Sequence, residues 1–285
     1  MMQGAPNIGE LVLHHTADAY SFGFEPFWSV SWHRWPDTHL GPLTVNLTPT
    51  KHVVFLVLTA ALVFIVMRLA GRSLERQRAH EQAPKGFAAA MEGIVLFVRD
   101  EIAIANIGHD GARFAPLIMT LFFFILFANL FGLIPWGSSV TGNLAVTASL
   151  AILVFLTIEI GGMRKLGVKG YLGTIFPQMP GLHGAGAVAM SIAMAPIEIL
   201  GKLVKPFALA VRLFGNMTAG HFVILSMFGI IVLFWHLTGW NYAISAATVS
   251  LVVGIMLLEL FVAFLQAYVF ALLSAVFIGL MQHEH

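Results

Sequence analysis

Long apolar runs separated by short polar clusters organise this chain. The runs cover about 52–67, 115–134, 143–160, 187–236 and 241–281, with few charges inside them. Crossing a hydrocarbon layer ~30 Å thick takes about 20 helical residues, so each run predicts a membrane-spanning helix. Residues 87–106 differ, because Glu92, Arg99, Asp100 and Glu101 are interleaved with apolar positions. That pattern predicts an amphipathic helix lying on the membrane surface. Residues 1–50 are polar to mixed and carry Phe22, Phe24, Phe27, Trp28, Trp32 and Trp35, which predicts an extramembrane segment with aromatics at the interface. The expected fold is an all-α integral membrane protein with about five membrane passages plus one interfacial amphipathic helix. Residues 1–50 form the extramembrane N-terminal segment, residues 51–285 the membrane domain, and no internal repeat or soluble domain is visible.

Composition agrees with this pattern. Of 285 residues, 58% are hydrophobic and only 10% charged, whereas a soluble domain carries about 25% charged residues. Cysteine is absent, which excludes disulfides, thiolate metal sites and thiol catalysis. A net charge of +1 leaves no footprint for nucleic acid. His14, His15, His33 and His39 match no metal-ligand spacing, so no metal is expected. The first 50 residues lack an apolar core behind a basic start, so no cleavable signal is expected.

Lysine and arginine set the expected orientation. Arg68, Arg72, Arg76, Arg78, Lys85, Arg99 and Arg113 precede the second span, and Arg164, Lys165 and Lys169 follow the third. The connections near 135–142 and 236–241 have none. The basic connections belong inside, which puts the N-terminus outside and the C-terminus in the cytoplasm.

The last two helices exceed the bilayer. Residues 204–236 and 241–281 correspond to roughly 50 and 60 Å at 1.5 Å per residue, against a ~30 Å core. Average tilt is ~20°, too little to absorb the excess. Since the ends are apolar, the expected form is a long, strongly tilted hairpin suited to a curved partner.

Ionisable residues within spans cost about 2.5–3.5 kcal/mol each on insertion scales. The final helices carry Lys202, Lys205, Arg212, His221 and Glu259, with Asn216 and Gln266 beside them and Glu198 just upstream. The turn is centred between Gly239 and Trp240, so an antiparallel hairpin sets Arg212 level with Gln266 and His221 level with Glu259. The two polar levels lie about 10–14 Å apart. Lys202 and Lys205 read as snorkelling to the inner interface. Arg212 has no acid of this chain at its level, so a carboxylate supplied by another protein is expected to meet it. These residues point to a proton or cation pathway.

Other classes fit less well. A secondary transporter with an intramembrane Arg/His/Glu relay remains the alternative, although such folds show paired repeats. His221 and His236 lie about 22 Å apart on one helix, too far to share a haem iron. Phosphate-binding glycine loops, nucleophile motifs and metal-ligand helices are absent.

The segment Lys205-Pro206-Phe207-Ala208-Leu209-Ala210-Val211-Arg212-Leu213-Phe214-Gly215-Asn216-Met217-Thr218-Ala219-Gly220-His221 resembles the signature of subunit a of F-type ATP synthases. Leu265-Gln266-Ala267-Tyr268-Val269-Phe270 resembles the matching part of that family's last helix, and Asn129-Leu130-Phe131-Gly132-Leu133-Ile134-Pro135 an earlier segment. The resemblance runs from about residue 50 to the C-terminus. It implies a stationary, non-nucleotide-binding subunit whose two half-channels reach the carboxylates of a rotating c-subunit ring. Arg212 would be the essential arginine and Gln266 its orienting partner. His221, Glu259 and Asn216 would line the outer half-channel, with Asn129 and Asn143 as lesser candidates. Glu198, with Glu159 weaker, would serve the inner one. Some members carry an acid at the His221 position and histidine at the Glu259 position, an exchange of the pair's ends; some carry an acid at Gly132. The resemblance also implies peripheral-stalk b subunits and other synthase subunits as partners, no cofactor, and an energy-coupling membrane; a bacterial plasma membrane is expected.

Overall fold

A computed structural model describes residues 19–24, 28–31, 33–36, 38–40, 43–46, 48–79, 85–134, 139–176, 185–234 and 240–283. Six helices dominate: α1 (Lys51–Ala79), α2 (Phe87–Leu96), α3 (Gly111–Gly132), α4 (Leu144–Ile175), α5 (Ala185–Phe234) and α6 (Asn241–His283). All but α2 are long and apolar enough to cross a membrane, so the chain is a multi-pass membrane protein. Helices α5 and α6 run for 50 and 43 residues, close to the runs of 187–236 and 241–281 read from the sequence. Two small hairpins, which the pattern does not predict, precede the helices. In one, β1 (Ser21–Phe24) pairs with β2 (Trp28–Ser31); in the other, β3 (Thr38–Leu40) pairs with β4 (Leu43–Val45). His14, His15, Phe27, Trp32, Pro135 and His236 lie outside the described residues.

The chain divides into two compact units. The first combines residues 1–66, 124–143 and 214–266. Its N-terminal part is tied to the start of α1 by the Lys51 N–H, which donates to Ala19 O at 2.9 Å. Trp35 N–H donates to Thr48 Oγ1 at 2.8 Å, and Asn46 Nδ2 to Trp35 O at 3.0 Å. Among the described residues no group of three acids or histidines is placed to hold a metal. Further along α1, Phe55 meets Phe131 of α3 edge to face, with ring centroids 6.1 Å apart. Thr59, fully buried, returns its hydroxyl to Phe55 O at 2.7 Å. A polar side chain inside a spanning helix is thereby satisfied within its own turn.

The second unit combines residues 67–123, 144–213 and 267–285. Residues 67–79 continue α1 through the Arg68–Arg78 cluster, where the sequence pattern ends the span at Met67; Leu, Glu, Arg and Gln are strong helix formers, so helix persists past the apolar run. After α2 the chain widens into a π-helix over Phe97–Ile104 and a last turn at Ala105–Ile107. Val98, Ile102, Ala103 and Ile107 are buried while Arg99, Asp100 and Glu101 are exposed, which is the amphipathic division expected. The apolar face is covered by protein. Phe97 stacks on Tyr268 of α6 at 6.1 Å, and Gly279 of α6 lies against the Asn106 carbonyl so closely that a Cβ would overlap it.

The predicted end of the third span at Gly161-Gly162 is not an end. Helix α4 runs through both glycines and is interrupted only at Gly167, with φ 69° and ψ 169°. That φ favours glycine. Gly162 serves close packing instead, since a Cβ there would lie 2.6 Å from Met281 Cγ. Small residues at Ala267, Ala271, Ser274, Ala275 and Gly279 give this half of α6 a smooth, buried face, the surface that lets membrane helices approach.

Candidate functional site

Within the first unit the polar side chains gather where α3, α5 and α6 meet. The hairpin register read from the turn places position 259 opposite position 220. Gly220 does lie against Glu259: a Cβ on Gly220 would overlap the carboxylate. Glycine on α5 therefore makes the recess that Glu259 of α6 fills. His221 is the next residue, half-buried and within electrostatic reach of Glu259. Its Nδ1 donates to Met217 O at 2.9 Å, which leaves Nε2 as the nitrogen free to take or give a proton. The His221–Glu259 level expected from the sequence is thus formed.

Asn129 of α3 is fully buried, with a hydrogen bond at each end of its amide. Its Nδ2 donates to Ala263 O of α6 at 3.3 Å, and its Oδ1 accepts from Thr141 Oγ1 at 2.7 Å. Thr141 in turn shares a hydrogen bond with Ser139 at 3.0 Å. Ser139 and Thr141 carry no sequence signal, because their connection lacks charge and motif. Asn143 is next, half-buried at the start of α4. Gly132 is packed where a Cβ would stand 2.8 Å from Ser139 Cβ, so this position holds helices close and leaves no room for an acid in the present packing. Thr218 carries no sequence signal either; its Oγ1 is buried without a hydrogen-bond partner.

Replacing Asn129 by Leu is expected to lower stability by about 1–3 kcal/mol, because the Thr141 hydroxyl loses its acceptor in a buried setting. A lower thermal midpoint of the purified assembly, with unchanged transport per assembled complex, is the expected result. Lost transport at unchanged stability would instead make Asn129 part of the pathway.

In the second unit, Glu159 of α4 and Glu198, Lys202 and Lys205 of α5 line one cavity of about 30 Å³, about the share of one water. Phe155, Pro206 and Phe277 complete its walls. Glu159 Oε1 is buried without a hydrogen-bond partner. Lys202 is within electrostatic reach of it, yet its Nζ donates to Thr174 Oγ1 at 2.7 Å and lies 4.6 Å from the Tyr171 ring centre. Lys205 sits 5.5 Å from the Phe277 ring centre. Both lysines therefore have local partners within the protein. The sequence makes Glu159 a weaker candidate than Glu198; the structure makes them neighbours in one cavity.

Arg212 is exposed on α5, and among the described residues its side chain makes no ion pair or hydrogen bond. The same helical face carries Val204, Ala208, Asn216, Ala219 and Val223, all exposed, while Leu209, Ala210, Leu213 and Met217 are buried behind it. A cation thus stands exposed on α5 among small and apolar residues and one amide, Asn216. Gln266 is buried on α6; it belongs to the first unit and Arg212 to the second.

Comparison with known proteins bears on the chain as a whole. The family model described as ATP synthase A chain matches residues 53–279. ATP synthase subunit a 2 of Chlorobaculum tepidum is 45% identical over 272 residues, covering 95% of this chain and 72% of that protein. ATP synthase subunit a of Chloroherpeton thalassium is 43% identical, covering 95% and 77%. The subunit a of Anaeromyxobacter dehalogenans is 42% identical, covering 96% and 70%.

Proposed function

The chain belongs to the ATP synthase A chain family, the non-catalytic proton-channel subunit a of the membrane sector, and from that premise we propose that Arg212 is the residue that meets the carboxylates of the c-subunit ring. The observation that carries this reading is the exposed guanidinium, unpaired among the described residues, with small and apolar neighbours and one amide around it on α5. A cation in that position attracts a deprotonated ring carboxylate through a charge-assisted, fork-shaped contact. Ala208, Asn216 and Ala219 allow a second helix to come close enough for it. Gln266 orients the arginine at the same level.

His221 and Glu259, with Asn216 beside them, line the outer half-channel. Glu259 and His221 pass the proton between them, and His221 Nε2 is the nitrogen that exchanges it. Asn143 flanks this path, whereas Asn129 holds α3 to α6. Glu198 and Glu159 serve the inner half-channel, with the cavity between them holding the water that relays the proton. Arg212 separates the two paths, so a proton crosses only by riding the ring. The long α5–α6 hairpin lies obliquely and follows the ring's curvature, and b subunits of the peripheral stalk hold the chain stationary. The N-terminus and residues 1–50 lie outside and the C-terminus in the cytoplasm, in a bacterial plasma membrane.

ATP-driven proton pumping by inside-out vesicles carrying Arg212→Ala, with assembly verified, tests the central assignment. The inner path has its own test. Glu198→Gln or Glu159→Gln alone is expected to slow pumping by less than tenfold, because one carboxylate remains. The pair together should approach the ~10²-fold loss typical of removing a proton-transfer group. Unchanged pumping in the double variant would assign the inner path elsewhere.

A further inference from the structure

A groove of about 720 Å³ runs along α4 and ends at the start of α3, within the second unit. Its long wall is one stripe of α4: Ile152, Leu153, Leu156 and Ile160, all exposed. Two hydroxyls interrupt the stripe, but both are spent on their own helix. Ser149 Oγ donates to Ala145 O at 2.7 Å, and Thr157 Oγ1 to Leu153 O at 2.8 Å. The wall therefore offers an occupant nothing but hydrocarbon.

One end of the groove is different. Arg113, Arg164 and Lys165 stand there together with a single acid, Asp110. Asp110 is committed to Lys165, whose Nζ donates to Oδ2 at 3.1 Å. Arg113 and Arg164 are exposed and make no ion pair among the described residues. The local excess is two guanidinium groups, which suit the tetrahedral oxygens of a phosphate diester. From Arg164 to Leu153 the stripe extends about 16 Å at 1.5 Å per residue. Half of a ~30 Å hydrocarbon core is about 15 Å, so cationic end and apolar wall are spaced like the head and tails of one leaflet's lipid.

We propose that this groove binds an anionic diacyl phospholipid, its phosphate on Arg113 and Arg164 and its acyl chains along Ile152–Ile160 of α4. The proposal is independent of the assignment of Arg212. Basic clusters beside spanning helices hold such headgroups, each cation near the surface contributing about a fivefold preference over zwitterionic lipid.

The chain has no cysteine, so Leu156→Cys offers one labelling position in the middle of the groove. The full chain carrying a fluorophore there is reconstituted into phosphatidylcholine vesicles with brominated phosphatidylglycerol or, at equal mole fraction, brominated phosphatidylcholine. Quenching by the anionic lipid is expected to be favoured by about fivefold or more. Arg113→Gln with Arg164→Gln should abolish the preference, and Arg113→Lys with Arg164→Lys should keep most of it. Excess inorganic phosphate should leave it intact. Equal quenching by both lipids would reduce the groove to ordinary lipid contact and overturn the proposal. So would a preference that survives the Gln pair, or one that phosphate alone removes. In the purified complex the thiol introduced at position 156 should remain reactive towards a lipid-soluble reagent; complete protection would mean that a partner's helix fills the groove instead. If the Gln pair does not insert, the lipid comparison in the parent still decides.

Discussion

Vesicles carrying Arg212→Ala are expected to contain assembled complex and to pump no protons on addition of ATP. Insertion and function pull in opposite directions at this position. A lone arginine at mid-membrane costs about 2.5–3.5 kcal/mol to insert, so alanine should make the helix more stable in the bilayer. Loss of pumping therefore does not arise from a weakened fold. What disappears is the attraction between a guanidinium and a ring carboxylate, about 4 kcal/mol at 4 Å for an effective dielectric constant of 20. That is roughly a thousandfold in occupancy, enough to abolish measurable coupling. Arg212→Lys keeps charge but loses the planar fork and can release its proton, so it too should be severely impaired. Acidification followed by a pH-sensitive dye, normalised to the amount of assembled complex, makes the measurement. Normal pumping by the alanine variant would make Arg212 a structural residue, and the assignment of the conducting face would fall.

Removing either member of the His221–Glu259 level should give the second-largest loss. His221→Ala leaves Glu259 in its recess with no base beside it. Glu259→Ala leaves the imidazole facing an empty pocket over Gly220. Each should slow pumping by at least tenfold, within reach of the 10²–10⁴ range of proton-transfer groups. The exchanged pair, His221→Glu with Glu259→His, keeps one base and one acid at the level and should pump faster than either single variant. It should not reach the parent rate, because the recess over Gly220 is occupied by a carboxylate and an imidazole is larger. Vesicles of the four variants, compared at matched assembly, decide the point. A swap slower than both single removals would break the idea that the two residues work as a pair.

The placing of Glu259 beside Gly220 and His221 shows what a single sequence makes legible in such a protein. Five apolar runs are enough to count the spans. An antiparallel hairpin with a recognisable turn is enough to put Glu259 against the Gly220–His221 step, because backbone geometry fixes the register. Glycines are less readable: Gly161 and Gly162 look like a helix end, whereas Gly162 is small because Met281 packs there. Tertiary contact overrules local propensity. The Asn129–Thr141–Ser139 chain is only partly legible, since one hydroxyl among many becomes meaningful only once another helix brings it an acceptor. The same holds for Glu159, whose place beside Glu198 depends on how α4 packs on α5. The strands near the N-terminus stay hidden because short runs such as Ser21–Phe24 carry too little periodicity to distinguish pairing from irregular chain.

The π-helix between Phe97 and Ile104 has a consequence for how the chain tolerates changes of length. A π turn closes one residue later than an α turn, and the buried positions Val98, Ile102, Ala103 and Ile107 keep to that wider step. The wider step sets the turn beyond it, where the Asn106 carbonyl meets Gly279. Deletion of one residue is therefore expected to be better tolerated in this stretch than in the flanking α-helix, since it would return the turn to α geometry and leave both flanks facing inward.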